Sequence, residues 1–226
     1  MRAASADQQY DVRGEDVYRV GSSQLVSRVT YLGSQRLTVD RQGKQTRYDA
    51  QARYTRDAAD GKTTTNARFV QELLPGGTFE DRLNEDPDFL TILNQPFAIW
   101  LDPTTLRDLR GLHGAVPFGA TSPMGGDAIL RGQLRPAVGG EIAGRSAIAV
   151  RFEAQGPMTA ALPDHAESMM AGRMRMDGIA YYAIDDAMLL ALDATLTIDG
   201  QLKDQQHNVP VRIVYRRFIR ASQPSP

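Results

Sequence analysis

The chain has 226 residues, 42% of them hydrophobic and 23% charged, which excludes general disorder and allows one large domain or two small ones. A net charge of -1 and a pI near 6.3 exclude a polyanion such as nucleic acid as the main partner. With no cysteine, a disulfide framework, a thiolate nucleophile and a thiolate metal site are all excluded.

Met1-Arg2 leads straight into Ala3-Ala4-Ser5-Ala6 without the apolar stretch of a secretory signal. Ala4-Ser5-Ala6 nevertheless matches the small-residue end of a cleavage site, and Asp7-Gln8-Gln9 the polar start of a mature chain. Export is therefore expected, to a periplasm or beyond, with the cytoplasm as the alternative. Lysine occurs only at Lys44, Lys62 and Lys203, and this arginine bias together with many alanines fits a GC-rich bacterial genome. Residues 1–13 are expected to form a flexible N-terminal segment, 14–221 a single β-rich domain and 222–226 a flexible tail.

Leu25 to Leu32 and Arg36 to Val39 read as two strands of a hairpin turning at Gly33-Ser34. From Arg47 to Thr55 alternation is clean, with Tyr48, Ala50, Ala52 and Tyr54 on one face. Asp60-Gly61 turns the chain into Thr64 to Leu74, where Thr65, Ala67, Phe69 and Leu73 share a face. Together these segments form an antiparallel meander with one wet face.

The pattern changes after Pro75-Gly76-Gly77. Asp86-Pro87 opens a helix carrying Phe89, Leu90, Ile92 and Leu93 at helical spacing, and Asp102-Pro103 opens a second with Leu106, Leu109 and Leu112. Phe97, Ile99, Trp100 and Leu101 form the apolar connector. Residues 113–145, rich in Gly and Pro, read as an irregular loop with one strand at Ala128 to Leu134. A strand at Ser146 to Ala154, a loop at Gly156 to Glu167 and a strand at Gly172 to Met176 follow.

The apolar run at 177–200 could be a membrane segment, a buried helix or a strand pair. Asp185, Asp186 and Asp193 interrupt it too often for a membrane helix. From Leu190 the spacing is period two, with Leu190, Leu192, Ala194, Leu196 and Ile198 inward and Asp193 and Asp199 outward, so it is a strand. Ile179 to Ile184 is a second strand, and Asp185-Asp186-Ala187 the turn between them. Asp199-Gly200 signals another turn. Val209 to Arg220 then alternates, with Val211, Ile213 and Tyr215 inward and Arg212, Arg216 and Arg220 outward.

No catalytic or metal motif survives inspection. Gly61-Lys62-Thr63 has the tail of a phosphate loop, but Arg56 stands where its first Gly is needed, so it is a hairpin turn. His113, His165 and His207 belong to no metal pattern and read as solvated loop residues. Asp164, His165 and Glu167 lack a nucleophile to activate. Asp185 and Asp186 are expected to diverge as consecutive turn residues, too far apart to share a proton. Gly125-Gly126-Asp127, after Ser122-Pro123, lacks the following helix or Lys of an anion cradle. Arg212, Arg216, Arg217 and Arg220 read as a solvated basic face that blunts an edge strand, or as a dock for an anionic headgroup or a protein partner.

One bias stands out: Met158, Met169, Met170, Met174, Met176 and Met188 fall close together. Methionine is unbranched and adaptable, so such a cluster either fills an irregular core or lines a site for variable apolar ligands. Met174 and Met176 share a strand face opposite Arg173 and Arg175.

The expected fold is α+β and predominantly antiparallel β, a curved sheet or half-barrel of two meanders wrapping short central helices. In this strand count, the central apolar helices and an exported N-terminus, the chain resembles the bacterial half-barrel proteins of the LolA, LolB and LppX type. That resemblance implies an open sheet covered by helices that accepts lipid or another apolar small molecule; it transfers no binding residue. The leading expectation is a non-catalytic extracytoplasmic binding protein using Phe97, Trp100, Met174 and Met176, with no catalytic residue, metal, cofactor or transmembrane segment. The alternatives are a structural or protein-interaction module with a solid core, and an enzyme built from loop residues around 113–127, in which His113, Asp127 and His165 would have to converge.

Overall fold

A computed structural model describes residues 4–21, 26–42, 45–73, 79–85, 103–111, 114–121, 129–162, 165–203 and 208–222. Five strands come first: β1 Ala4–Val20, β2 Val26–Gln42, β3 Gln45–Ala58, β4 Gly61–Leu73 and β5 Phe79–Asn84. After the helix α1 Pro103–Arg110 come β6 Val116–Thr121, β7 Ile129–Ile142, β8 Arg145–Leu162, β9 His165–Ala183, β10 Leu189–Lys203 and β11 Asn208–Ala221. All eleven belong to one antiparallel sheet, ordered β5-β4-β3-β2-β1-β11-β10-β9-β8-β7-β6. Among the described residues the sheet is open: β5 and β6 are its two edges and do not pair.

Two up-and-down meanders, β1 to β5 and β6 to β11, thus share one sheet, and the β1–β11 ladder is what joins them. It runs from Tyr10 opposite Ala221 to Val20 opposite Val211. Hairpin ladders need only local closure, whereas this one pairs residues about 200 positions apart, the kind of contact that chain entropy makes slowest to form.

Period-two patterning sets the two faces. Along β3, Tyr48, Ala50, Ala52 and Tyr54 are buried; along β10, Leu190, Leu192, Ala194, Leu196 and Ile198; along β11, Val211, Ile213, Tyr215, Arg217, Ile219 and Ala221. All of these except Arg217 belong to one apolar cluster that also takes in Leu106 and Leu109 of α1. The sheet curls, so that its inner face packs residues of β1 to β4 and β7 to β11 into a single buried cluster.

Several expectations are corrected. The segment taken as a flexible N-terminus is, from Ala4 onward, the first half of β1, paired with β2 along its length. Gly33-Ser34 is no turn: β2 passes through it unbroken. Here glycine serves close approach, since a Cβ on Gly33 would lie 2.6 Å from the Tyr54 Cα of β3. Asp199-Gly200 is likewise mid-strand, where a Cβ on Gly200 would lie 2.8 Å from the Ala171 carbonyl oxygen. The irregular stretch expected at 113–145 contains β6 and a fourteen-residue β7 with a register shift between Ala137 and Gly140. The loop expected at 156–167 is replaced by the ends of β8 and β9. The arginine strand β11 is interior to the sheet, between β1 and β10, so it blunts no edge.

The turns at Asp60-Gly61 and Asp185 to Ala187 stand as expected. In the second, Ala187 takes the left-handed conformation that a tight turn demands and that glycine more often supplies. The helix expected at Asp86 to Leu93 lies outside the described residues. What is described is therefore nearly all strand, with α1 as its helix, and the α+β assignment reduces to an open antiparallel sheet.

Gly33→Ala is expected to cost about 3 kcal/mol in urea unfolding, because β3 has to move to admit the methyl group. Gly140→Ala, at a position where a Cβ meets nothing within 4 Å, is expected to stay within about 0.5 kcal/mol of the parent.

Candidate functional site

The inner wall carries two contrasting patches. On β8 and β9 it is lined with methionine: Met158, Met170, Met174 and Met176 are all buried, Met174 completely, and Met188, just before β10, is buried too. Met169, one residue out of phase, is exposed, as are Arg173 and Arg175 on the opposite face. Small residues separate the methionines: Met176 stands between Ala154 and Leu196, Met174 between Gly156 and Ile198, and Met158 beside Gly172. Flexible unbranched side chains beside glycine and alanine make a wall that can repack.

The second patch is polar. In β1 the inward positions continue from Tyr10 and Val12 through Gly14 and Asp16 to Tyr18, and in β11 the inward phase includes Arg217. Asp16 and Arg217 are both 0% exposed. They are diagonal neighbours across the β1–β11 ladder, since Gly14 is opposite Arg217 and Asp16 opposite Tyr215. Arg217 Nη1 donates to Asp16 Oδ1 at 2.5 Å and to the Arg216 carbonyl at 2.8 Å. The guanidinium crosses β1 over Gly14, where a Cβ would lie 3.0 Å from Nη1, and stacks on Tyr31 at 5.1 Å and on Tyr215 at 5.8 Å. Tyr18 packs edge-on against Tyr215.

Burial pushes the Asp16 carboxyl above its ordinary range, and Arg217, Tyr31 and Tyr18 pull it back only in part. The same burial raises the hydroxyls of Tyr18 and Tyr31, which stay protonated. On the outer face of the ladder Glu15 accepts from Arg216 Nη1 at 3.2 Å and pairs with Arg28 of β2. Each face of the seam therefore holds its own charge pair.

Of the residues expected to line a pocket, Met174 and Met176 sit side by side on the inner wall; Phe97 and Trp100 lie outside the described residues. Asp16 was missed, and Arg217, expected on a solvated basic face with Arg212, Arg216 and Arg220, is instead fully buried, because alternation in β11 places it in phase with Tyr215 and Ile219. Asp185 and Asp186, expected to diverge, converge: both accept from Arg145 Nη2, at 2.6 and 2.8 Å. Their other contacts, to the backbone N–H groups of Asp186 and Met188, make them a turn staple. Of His113, Asp127 and His165, only the His165 backbone is described, at the start of β9. Among the described residues no cluster of His, Asp or Glu could hold a metal ion, and no helix is long and apolar enough to cross a membrane. No protein-family model and no curated protein sequence matches the chain.

Arg217→Met leaves a buried carboxylate with no cation beside it and is expected to cost about 3–5 kcal/mol at pH 7, while Asp16→Asn/Arg217→Met is expected within about 2 kcal/mol of the parent. A carboxyl whose pKa is higher folded than unfolded gains stability as the pH falls toward the ordinary 3.8. The cost of Arg217→Met should therefore shrink on acidification, read by urea unfolding across pH 4 to 7.

Proposed function

We propose that the protein is a non-catalytic, exported binding protein that holds a lipid or other apolar small molecule against the inner wall of its curled sheet. The observation that carries this reading is the methionine patch: Met158, Met170, Met174 and Met176, buried and interleaved with glycine and alanine on one face of the sheet. A core needing only to be filled is served by branched side chains with fixed rotamers, as on β10 and β11; adaptable side chains suit contents that vary. Leu106 and Leu109 of α1 share the buried cluster with the sheet, which supports a half-barrel closed by helical segments, as in the LolA, LolB and LppX type.

A second reading, a solid-core module that docks a partner, draws on the outer face. A concavity of about 570 Å³ there is lined by Arg135, Arg151, Glu153, Asp177 and Asp193. It is charged and wet, unlike the methionine wall.

Protein purified from its native host is expected to carry an apolar molecule in native mass spectrometry, and delipidated protein to bind the neutral probe N-phenylnaphthylamine saturably. Met174→Trp, which fills the wall, should abolish probe binding while unfolding stays cooperative. Absence of both a co-purifying molecule and saturable probe binding would overturn the proposal.

A further inference from the structure

We infer that the concavity on the outer face of β7 to β10 binds a short free peptide of about three residues, its carboxylate on Arg135 and Arg151 and its ammonium on Asp177 and Asp193. This site lies on the opposite face from the methionine wall and does not depend on the binding reading above.

Register sets out the charges. Arg135, Arg151, Ile179 and Asp193 form one outer row across β7, β8, β9 and β10. In the next row Glu153, Asp177 and Thr195 follow one another on β8, β9 and β10. Both rows line the concavity, whose volume of about 570 Å³ falls within the range of small-molecule sites. Two strand spacings, about 10 Å, separate Arg151 from Asp193, and three extended residues span the same length. Ile179 lies between the two ends and offers an apolar floor to the middle of a ligand.

Elsewhere on the outer face, opposite charges are set beside each other across the ladders: Asp7 with Arg36, Asp49 with Arg68, and Glu15 with both Arg28 and Arg216. Here like charges are gathered instead. Arg135 stands directly opposite Arg151, and Asp177 is the diagonal neighbour of Asp193, arrangements that weaken a sheet. Their own ion pairs are loose: Arg135 reaches Glu153 at 3.8 Å, and Asp177 is 3.6 Å from Arg175. Arg151 and Asp193 have no ion-pair partner among the described residues. Partial burial holds the Asp193 carboxyl above its ordinary range, with no cation there to offset it.

Such a layout selects for both signs in one ligand. A bare anion at the arginines meets the two aspartates, and a bare cation at the aspartates meets the two arginines. A zwitterion whose charges lie one peptide-length apart satisfies each end, and the paired guanidinium forks match a carboxylate.

Calorimetric titration of the whole chain with trialanine, N-acetyl-trialanine and trialanine amide tests the inference. Trialanine is expected to bind with a dissociation constant of about 0.1–1 mM, and each blocked peptide about tenfold more weakly. Arg151→Gln should erase the penalty for the amide alone, and Asp193→Asn the penalty for the acetyl group alone. Both variants should keep the parent's urea midpoint or raise it, because each relieves a like-charge contact. Equal binding of all three peptides, binding of none, selectivity unchanged in the variants, or a lowered midpoint would overturn the inference. Binding of N-phenylnaphthylamine, which reports on the inner wall, should be the same in both variants as in the parent, and its loss in either would overturn the separateness of the two sites.

Discussion

The two halves of this sheet meet at one ladder, β1 against β11, and the constraint on that ladder is that its buried charges must cancel. Asp16 and Arg217 are both fully buried there, 201 residues apart in sequence. Neither can be buried alone without a cost comparable to a large share of a domain's stability. The pair therefore ties the register of two meanders that otherwise fold by local hairpin closure. A slip of one residue along the ladder would turn Arg217 outward and leave Asp16 without its cation. The glycine opposite, Gly14, is what lets the guanidinium lie flat across β1 and reach Tyr31.

From this seam the wall changes character in the direction of β9. Tyrosines and the ion pair give way to leucine and isoleucine on β10, then to methionine beside glycine and alanine on β9 and β8. The gradient has a polar end and an adaptable apolar end within three strands. The outer face follows a different logic, with salt bridges such as Arg216 to Glu15 and Arg145 to Asp185 and Asp186 in contact with water and worth little individually.

Strand alternation was legible wherever polar and apolar residues strictly alternate: β3, β10 and β11 were read from it. It failed where small residues fill strand positions. Gly33 and Gly200 read as turns and Gly156 as the start of a loop because glycine breaks the pattern, whereas in the curled sheet they accommodate a neighbouring backbone at short range. The stretch from Asp7 to Arg13 looked like a flexible end because its partners, Leu32 to Thr38 on β2 and the end of β11, come from distant sequence. Met174 and Met176 were legible as a shared face, and lie where that face predicted. Asp16 and Arg217 were not, because one sequence does not say which strands are neighbours, and a charge in the inward phase has meaning only once its partner across the ladder is known.

Native-state hydrogen exchange on the Arg217→Met variant tests the claim about the seam most directly. If charge cancellation at Asp16 holds the two meanders together, amides of β1 and β11 should lose protection at pH 7 far more than those of the β3–β4 hairpin, and regain much of it near pH 4 as Asp16 becomes neutral. Protection lost evenly across the sheet, or retained at β1 and β11, would contradict it.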